Sequence, residues 1–169
     1  MITIRVCPAN KAHFIRLKAF GNEMLAICDG LGITPVAWGG LVFFGYTKDR
    51  NAIIHDVDLL VPNKSIKKVM AVLRKRKIRY HYYHCTHHNK RWHALVVSKG
   101  DAQVDLDPIE DYYKGPRSFR KFKTFDFGGF RVKVVGKGSL IKAYRRASEV
   151  SKDKPGQHLK RLEALKRTR

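Results

Sequence analysis

Apolar residues recur at helical spacing from Lys11 to about Gly30, where Phe14, Leu17, Met24, Ile27, Cys28 and Leu31 share a face. Gly30 and Gly32 end that segment. Before it, Ile2-Thr3-Ile4-Arg5-Val6 reads as a short strand or arm stopped by Pro8. After it, Pro35 to Trp38 predicts a strand, Gly40 to about Tyr46 a short apolar helix, and Ile53 to Val61 a second strand closed by Pro62-Asn63. Residues 47–54 form a polar loop. Ser65 is expected to cap a helix that turns Ile66, Val69, Val72 and Leu73 inward.

Residues 78–98 alternate as a hairpin with its turn near His88-Asn89-Lys90, and Ala102 to Leu106 is a third strand in the same register of apolar and polar positions. Ile109 to Tyr113 is expected to form one helical turn, followed by a basic loop over 114–120. Phe122 to Phe127 and Phe130 to Val135 alternate around Gly128-Gly129 as a second hairpin. Ser139 is expected to cap a helix through Leu140, Ile141, Tyr144 and Ala147, and a last helix runs through Leu162 and Leu165. Helices and strands mixed in this order predict an α/β (α+β) fold: a small mixed twisted β-sheet flanked by helices. The hairpins either extend that sheet or form an edge, and the element order argues against a doubly wound parallel sheet.

Two interruptions of the apolar pattern carry chemistry. Ala37-Trp38-Gly39-Gly40 ends a strand on two glycines, and His55-Asp56-Val57-Asp58-Leu59-Leu60-Val61 places two aspartates inside a strand. Asp56 and Asp58 are two apart, so they point the same way. Carboxylates on one face repel unless they are protonated or hold a cation. Hard divalent cations take such oxygen ligands and leave coordination positions for phosphates. The structural alternative for the Asp pair is a buried salt bridge to two arginines. The glycines permit a close backbone approach to a phosphate at a helix N-terminus, or simply a tight strand-to-helix turn. Asp105, between Val104 and Leu106, offers a third carboxylate. Asp107 is read as pointing to the opposite face, as a reserve ligand or a helix cap before Pro108.

Gly-Gly, then Asp-x-Asp on a strand, then a later isolated Asp on a strand resembles the DNA-polymerase-β-like nucleotidyltransferases. The resemblance is closest to their minimal and lincosamide-type members and spans positions 36–108 by motif. It implies an enzyme that moves an NMP from an NTP such as ATP to a hydroxyl acceptor by a two-metal-ion mechanism. By this resemblance Asp56, Asp58 and Asp105 hold Mg²⁺ (or Mn²⁺), with Asp105 placed to take the acceptor's proton. Gly39 and Gly40 pass close to the triphosphate. Lys142 is implied as a triphosphate contact and Lys152-Asp153 as the pair fixing a helix junction. Arg50 is a further candidate for the phosphates, against a plain solvated loop charge.

Composition adds a partner class. Thirty-five Lys/Arg against fourteen Asp/Glu leave a net charge of +21 on 169 residues. Residues 64–79 carry eight Lys/Arg and no acid, and residues 114–169 carry eighteen against four, so the candidate catalytic strands are near neutral. Such asymmetry favours a polyanionic partner, RNA before a membrane; the equal alternative is a heavily solvated surface. Tyr80, Tyr82, Tyr83 and Trp92 either stack on bases or pack in the core. His81, Cys85 and His87 share a face within a histidine-rich hairpin over 81–93 and are a candidate site for Zn²⁺ or another borderline metal, against plain exposure, although their spacing matches no tetrahedral metal motif.

The length predicts a single domain over 1–169, with a catalytic core at about 33–108 and a basic C-terminal hairpin and helices at about 117–169. Cys7, Cys28 and Cys85 make no disulfide framework, and neither a signal peptide nor a membrane span is read, so a cytoplasmic location is expected. The rival function is a non-catalytic RNA-binding or toxin–antitoxin-type regulatory module on the same fold. In a related variant the chain nucleotidylates a partner protein.

Overall fold

The computed structural model describes residues 1–87, 90–112, 122–150 and 155–168. Its strands are β1 (Ile2–Thr3), β2 (Val36–Trp38), β3 (Asp56–Val61), β4 (Arg79–His87), β5 (Lys90–Lys99), β6 (Ala102–Pro108), β7 (Phe122–Asp126) and β8 (Arg131–Val135). The helices are α1 (Lys11–Gly30), α2 (Gly39–Thr47), α3 (Asn63–Lys75), α4 (Ile109–Tyr112), α5 (Lys137–Val150) and α6 (Pro155–Arg167). All eight strands join one mixed sheet in the order β1-β7-β8-β2-β3-β6-β5-β4. Both hairpins thus extend the sheet, one on each side of the central β2, β3 and β6. The expected mixed α/β sheet flanked by helices is what the chain forms.

The core follows the apolar pattern. α1 buries Phe14, Leu17, Phe20, Met24, Ile27 and Cys28. It packs with α3 and over β3 and β6, while α5 and α6 pack on each other and on α2. Leu59, Val97, Val104 and Leu106 have no exposed surface. α2 is apolar almost all round and is buried accordingly: Phe44 stacks on Phe127 at 6.3 Å and meets Phe14 edge-on at 6.0 Å.

Four local readings change. β3 begins at Asp56 rather than Ile53, because the Asn10 side chain occupies the backbone of Ile54. Asn10 Nδ2 donates to the Ile54 carbonyl at 2.6 Å, and the Ile54 N–H donates back to Asn10 Oδ1 at 3.1 Å. Ser65 does not cap α3. The helix starts at Asn63 behind Pro62, the Asn63 N–H is satisfied by Glu110 Oε2 at 2.9 Å, and Ser65 is buried in the first turn. Ser139 likewise lies inside the first turn of α5, which starts at Lys137. Of the N-terminal arm, Ile2 and Thr3 form a strand parallel to β7, and the Ile4 N–H donates to the Asp126 carbonyl at 2.7 Å.

The expected turn at 88–89, the basic loop at 114–120 and the Lys152-Asp153 pair lie outside the described residues. No helix among the described residues is long and apolar enough to cross a membrane.

Candidate active site

The register of the central strands assembles the site. β2 pairs antiparallel with β3, setting Trp38 opposite Asp58, and β3 pairs parallel with β6, setting Asp58 opposite Asp105. Paired residues share a face, so Trp38, Asp56, Asp58 and Asp105 converge on one side of the sheet. Carboxylate oxygens of Asp56, Asp58 and Asp105 all lie within 4.8 Å of one another, and all three residues are half-buried. Sequence reasoning brought these three together correctly. The arginine alternative fails: the ion pairs among the described residues join His13 and Arg16 to Asp101, Lys99 to Glu23, and Arg131 to Asp126.

Asp107 is corrected. Two residues from Asp105, it sits on the same face rather than the opposite one, because side chains alternate with a period of two. It is 4% exposed and accepts a hydrogen bond from Trp38 Nε1 at 3.3 Å, which holds it behind the cluster.

Crowding of like charges shows in the protonation equilibria. Burial raises the Asp58 carboxyl well above the ordinary range, and the charges of Asp56, Asp107 and Asp105 raise it further; the Gly40 backbone N–H opposes them. Asp105 is pushed up to about 6, chiefly by burial and then by Asp56, against a 2.9 Å hydrogen bond donated by Gln103 Nε2 to its Oδ1.

The two glycines do different things. Gly39 has φ +67°, and a Cβ there would run into the Asp58 carboxylate, whose Cγ would stand 2.8 Å away. Gly39 is therefore required twice, by backbone conformation and by the close approach of the carboxylate. Gly40, expected to turn its amide to a phosphate, instead directs it at Asp58.

A cleft of about 270 Å³ opens over this cluster, lined by Trp38, Gly39, Gly40, residues 53–56, Asp58, Tyr144, Gln157, His158 and Arg161. Arg161 was not singled out from the sequence. Its guanidinium lies over the rings of Phe43 (5.6 Å) and Tyr144 (5.7 Å), and beside Gly40 at the start of α2. His158 stacks on Tyr144 at 5.9 Å. Burial pushes the Tyr144 hydroxyl up to about 12, with Arg161 acting against it, so the phenol stays protonated at neutral pH. The available signal was spacing: Gln157, His158 and Arg161 stand at i, i+1 and i+4 of one helix, sharing a face. Arg50 and Lys142 are exposed and do not line this cleft. The side chains of Cys85 and His87, proposed with His81 as a metal site, lie outside the described residues.

Solved structures of nucleotidyltransferases and of a nucleotidyltransferase-like protein superpose on this fold. An antigenic nucleotidyltransferase-like protein from Paracoccidioides brasiliensis superposes with a TM-score of 0.59 at 13% identity, over 94% of this chain and 77% of that one. The antibiotic-resistance factor ANT(2″)-Ia gives 0.59 at 17% identity over 88% and 81%. The lincosamide antibiotic adenylyltransferase LnuA, in its lincomycin-bound structure, gives 0.55 at 13% identity over 89% and 95%. The chain has the nucleotidyltransferase fold. No protein-family model matches the sequence, and no curated protein matches it significantly. At these identities the nucleotidyltransferase likeness is one of architecture, and the chemistry has to be read from the residues themselves.

Proposed function

We propose that this chain is an enzyme that transfers an NMP from an NTP to a hydroxyl acceptor, with Asp56, Asp58 and Asp105 as its metal-holding and catalytic residues. The observation that carries this is the cluster itself: three carboxylates within 4.8 Å, with no cationic side chain paired to them among the described residues, two of them, Asp56 and Asp58, lining a cleft in a nucleotidyltransferase fold. An all-oxygen donor set of this kind suits Mg²⁺ or Mn²⁺. Bound there, the ions would neutralise phosphate charge and polarise the phosphorus–oxygen bonds.

The chain's own residues supply the rest. Gly39 lets the backbone pass against Asp58, so that the NTP's phosphates approach the carboxylates without a side chain between them. Arg161, braced by Phe43 and Tyr144, presents a fixed positive charge beside Gly40 to the leaving pyrophosphate. Asp105, with Oδ1 taken by Gln103, keeps Oδ2 to accept the proton of the attacking hydroxyl. The acceptor oxygen bonds to the α-phosphorus, the bond to the bridging oxygen breaks, and pyrophosphate leaves. Arg50 and Lys142 fit this donor site less well than Arg161, given their position away from the cleft.

Calorimetry of each NTP with Mg²⁺ and with Mn²⁺, on wild type and Asp58→Asn, tests the reading. Metal-dependent NTP binding that disappears in Asp58→Asn supports it; binding that survives unchanged, or no binding with either metal, overturns it. The rival, a non-catalytic RNA-binding module, is favoured by the acid-free basic stretch over 64–79 and predicts RNA binding indifferent to Mg²⁺ and to the aspartates.

A further inference from the structure

The row of side chains that contains the carboxylates does not stop at β6. Asp105 pairs with Val96 of β5, and Val96 pairs with His81 of β4. Asp58, Asp105, Val96 and His81 therefore stand in line across four strands on one face. A parallel row runs Asp56, Gln103, Ser98, Arg79, and Tyr83 sits opposite Ala94 one step further along β4. At ~4.8 Å per strand, His81 is about 10 Å from Asp105.

The far end of this strip is open. Arg79, His81 and Tyr83 are exposed, Tyr83 by 52%, whereas Tyr80 and Tyr82 on the other face pack against the core. The rings of His81 and Tyr83 lie with centroids 4.0 Å apart. Burial in the core does not account for an aromatic pair exposed on an edge strand. Arg79 brings positive charge to the strip itself, whereas the basic end of α3 lies toward the other face, where Arg74 Nη2 donates to the Tyr80 hydroxyl at 3.4 Å. Ring faces for bases, the Arg79 guanidinium for phosphates, and carboxylates at the other end lie along the same strip.

We propose that this strip seats the acceptor, and that the acceptor is the 3′ end of a single-stranded RNA, RNA being the usual source of free single-stranded 3′ ends in a cell. The assignment of the acceptor rests on the transfer reading above. A base stacks on His81 and Tyr83, the backbone passes Arg79, and the terminal ribose reaches Asp105. The 3′ oxygen bonds to the α-phosphorus of the NTP, the bond to the β-phosphate's bridging oxygen breaks, and pyrophosphate leaves. The hydroxyl proton passes to Asp105, and the RNA becomes one nucleotide longer.

The test separates the two readings. Fluorescence anisotropy measures binding of a labelled single-stranded RNA of about ten nucleotides without NTP and with EDTA, so that the donor site plays no part. Expected are an affinity that falls steeply with salt, a loss of about tenfold in Tyr83→Ala and in Arg79→Gln, and retention in Tyr83→Phe. Thermal melts confirm that these exposed substitutions leave the fold intact. Unchanged binding in Tyr83→Ala overturns the platform, as does equal binding of a blunt duplex or of polyglutamate. Extension of the same RNA by NTP with Mn²⁺, blocked by a 3′-deoxy end, supports the acceptor assignment. Tyr83-dependent binding without extension overturns the acceptor assignment and leaves only a binding surface.

Discussion

Gly39 and Asp58 occupy each other's space: a methyl group on Gly39 would overlap the Asp58 carboxylate, with its Cγ 2.8 Å away. Gly39 opens α2 directly after Trp38, which pairs with Asp58 across β2 and β3, so the closeness is a product of register. Gly39→Ala should cost at least about 2 kcal/mol of stability, from the left-handed backbone and the overlap together. In a double-mutant cycle, Asp58→Ala should recover part of that loss, since it removes the oxygen that clashes. Denaturant unfolding of the four proteins measures the coupling; strict additivity would mean that the two residues do not meet.

The carboxylate cluster makes stability depend on pH in an unusual sense. Asp105 has its folded value raised to about 6 from an ordinary 3.8, so between about pH 4 and pH 6 the native state binds more protons than the unfolded chain. The metal-free protein should therefore lose stability as pH rises through that window, and Asp58, shifted the same way, adds to the loss. Asp101, held below the usual range by Arg16 and His13, acts oppositely, and its stabilising effect is lost only as pH falls below about 4. Melting temperatures from pH 4 to 8 in EDTA should fall across the cluster's window, and Mn²⁺ should reverse the fall at the upper end. Asp58→Asn should be more stable than wild type in EDTA at pH 7.5 and gain little from Mn²⁺.

Arg161 is the cation built into the cleft, fixed over Phe43 and Tyr144. Arg161→Gln should weaken metal-dependent NTP binding by roughly ten- to a hundredfold, the usual range for losing a charged hydrogen-bonding partner. Arg161→Lys should fall between, because an ammonium keeps the charge but loses the planar stack. Lys142→Ala and Arg50→Ala should change the affinity less than twofold. Calorimetry ranks the four; Lys142→Ala outranking Arg161→Gln would transfer the phosphate contact to α5.

α2 is held against the sheet at Gly45, where an added Cβ would come within 2.5 Å of the Phe125 ring. Gly45→Ala should destabilise the fold by about 1–3 kcal/mol through overpacking, although alanine is the better helix former. A rise in melting temperature would show that Phe125 can move aside freely.

Much of the site was legible before the structure. Asp56-Val57-Asp58 states its own geometry, because a strand's period of two turns both carboxylates one way and Val57 into the core. The same rule places Asp107 beside Asp105, on the face of the cluster rather than opposite it. Ser65 and Ser139 carried cap-like chemistry, yet the amide that needed satisfying at α3 is met by Glu110, forty-seven positions along the chain. The extent of α1 was readable from spacing alone, because its buried face repeats over twenty residues.

By itself, then, the sequence determined the element types, the shared face of Asp56 and Asp58, and the concentration of positive charge along α3, all of which follow from local periodicity and composition. Only the tertiary structure decided which strands lie side by side. That pairing brings Asp105 to Asp58, Arg161 to Gly40, and His81 and Tyr83 onto the strip that leads to the carboxylates. These contacts join residues up to 121 positions apart in the sequence. They are set by strand register and by the packing of α5 and α6 on α2, which no local pattern encodes.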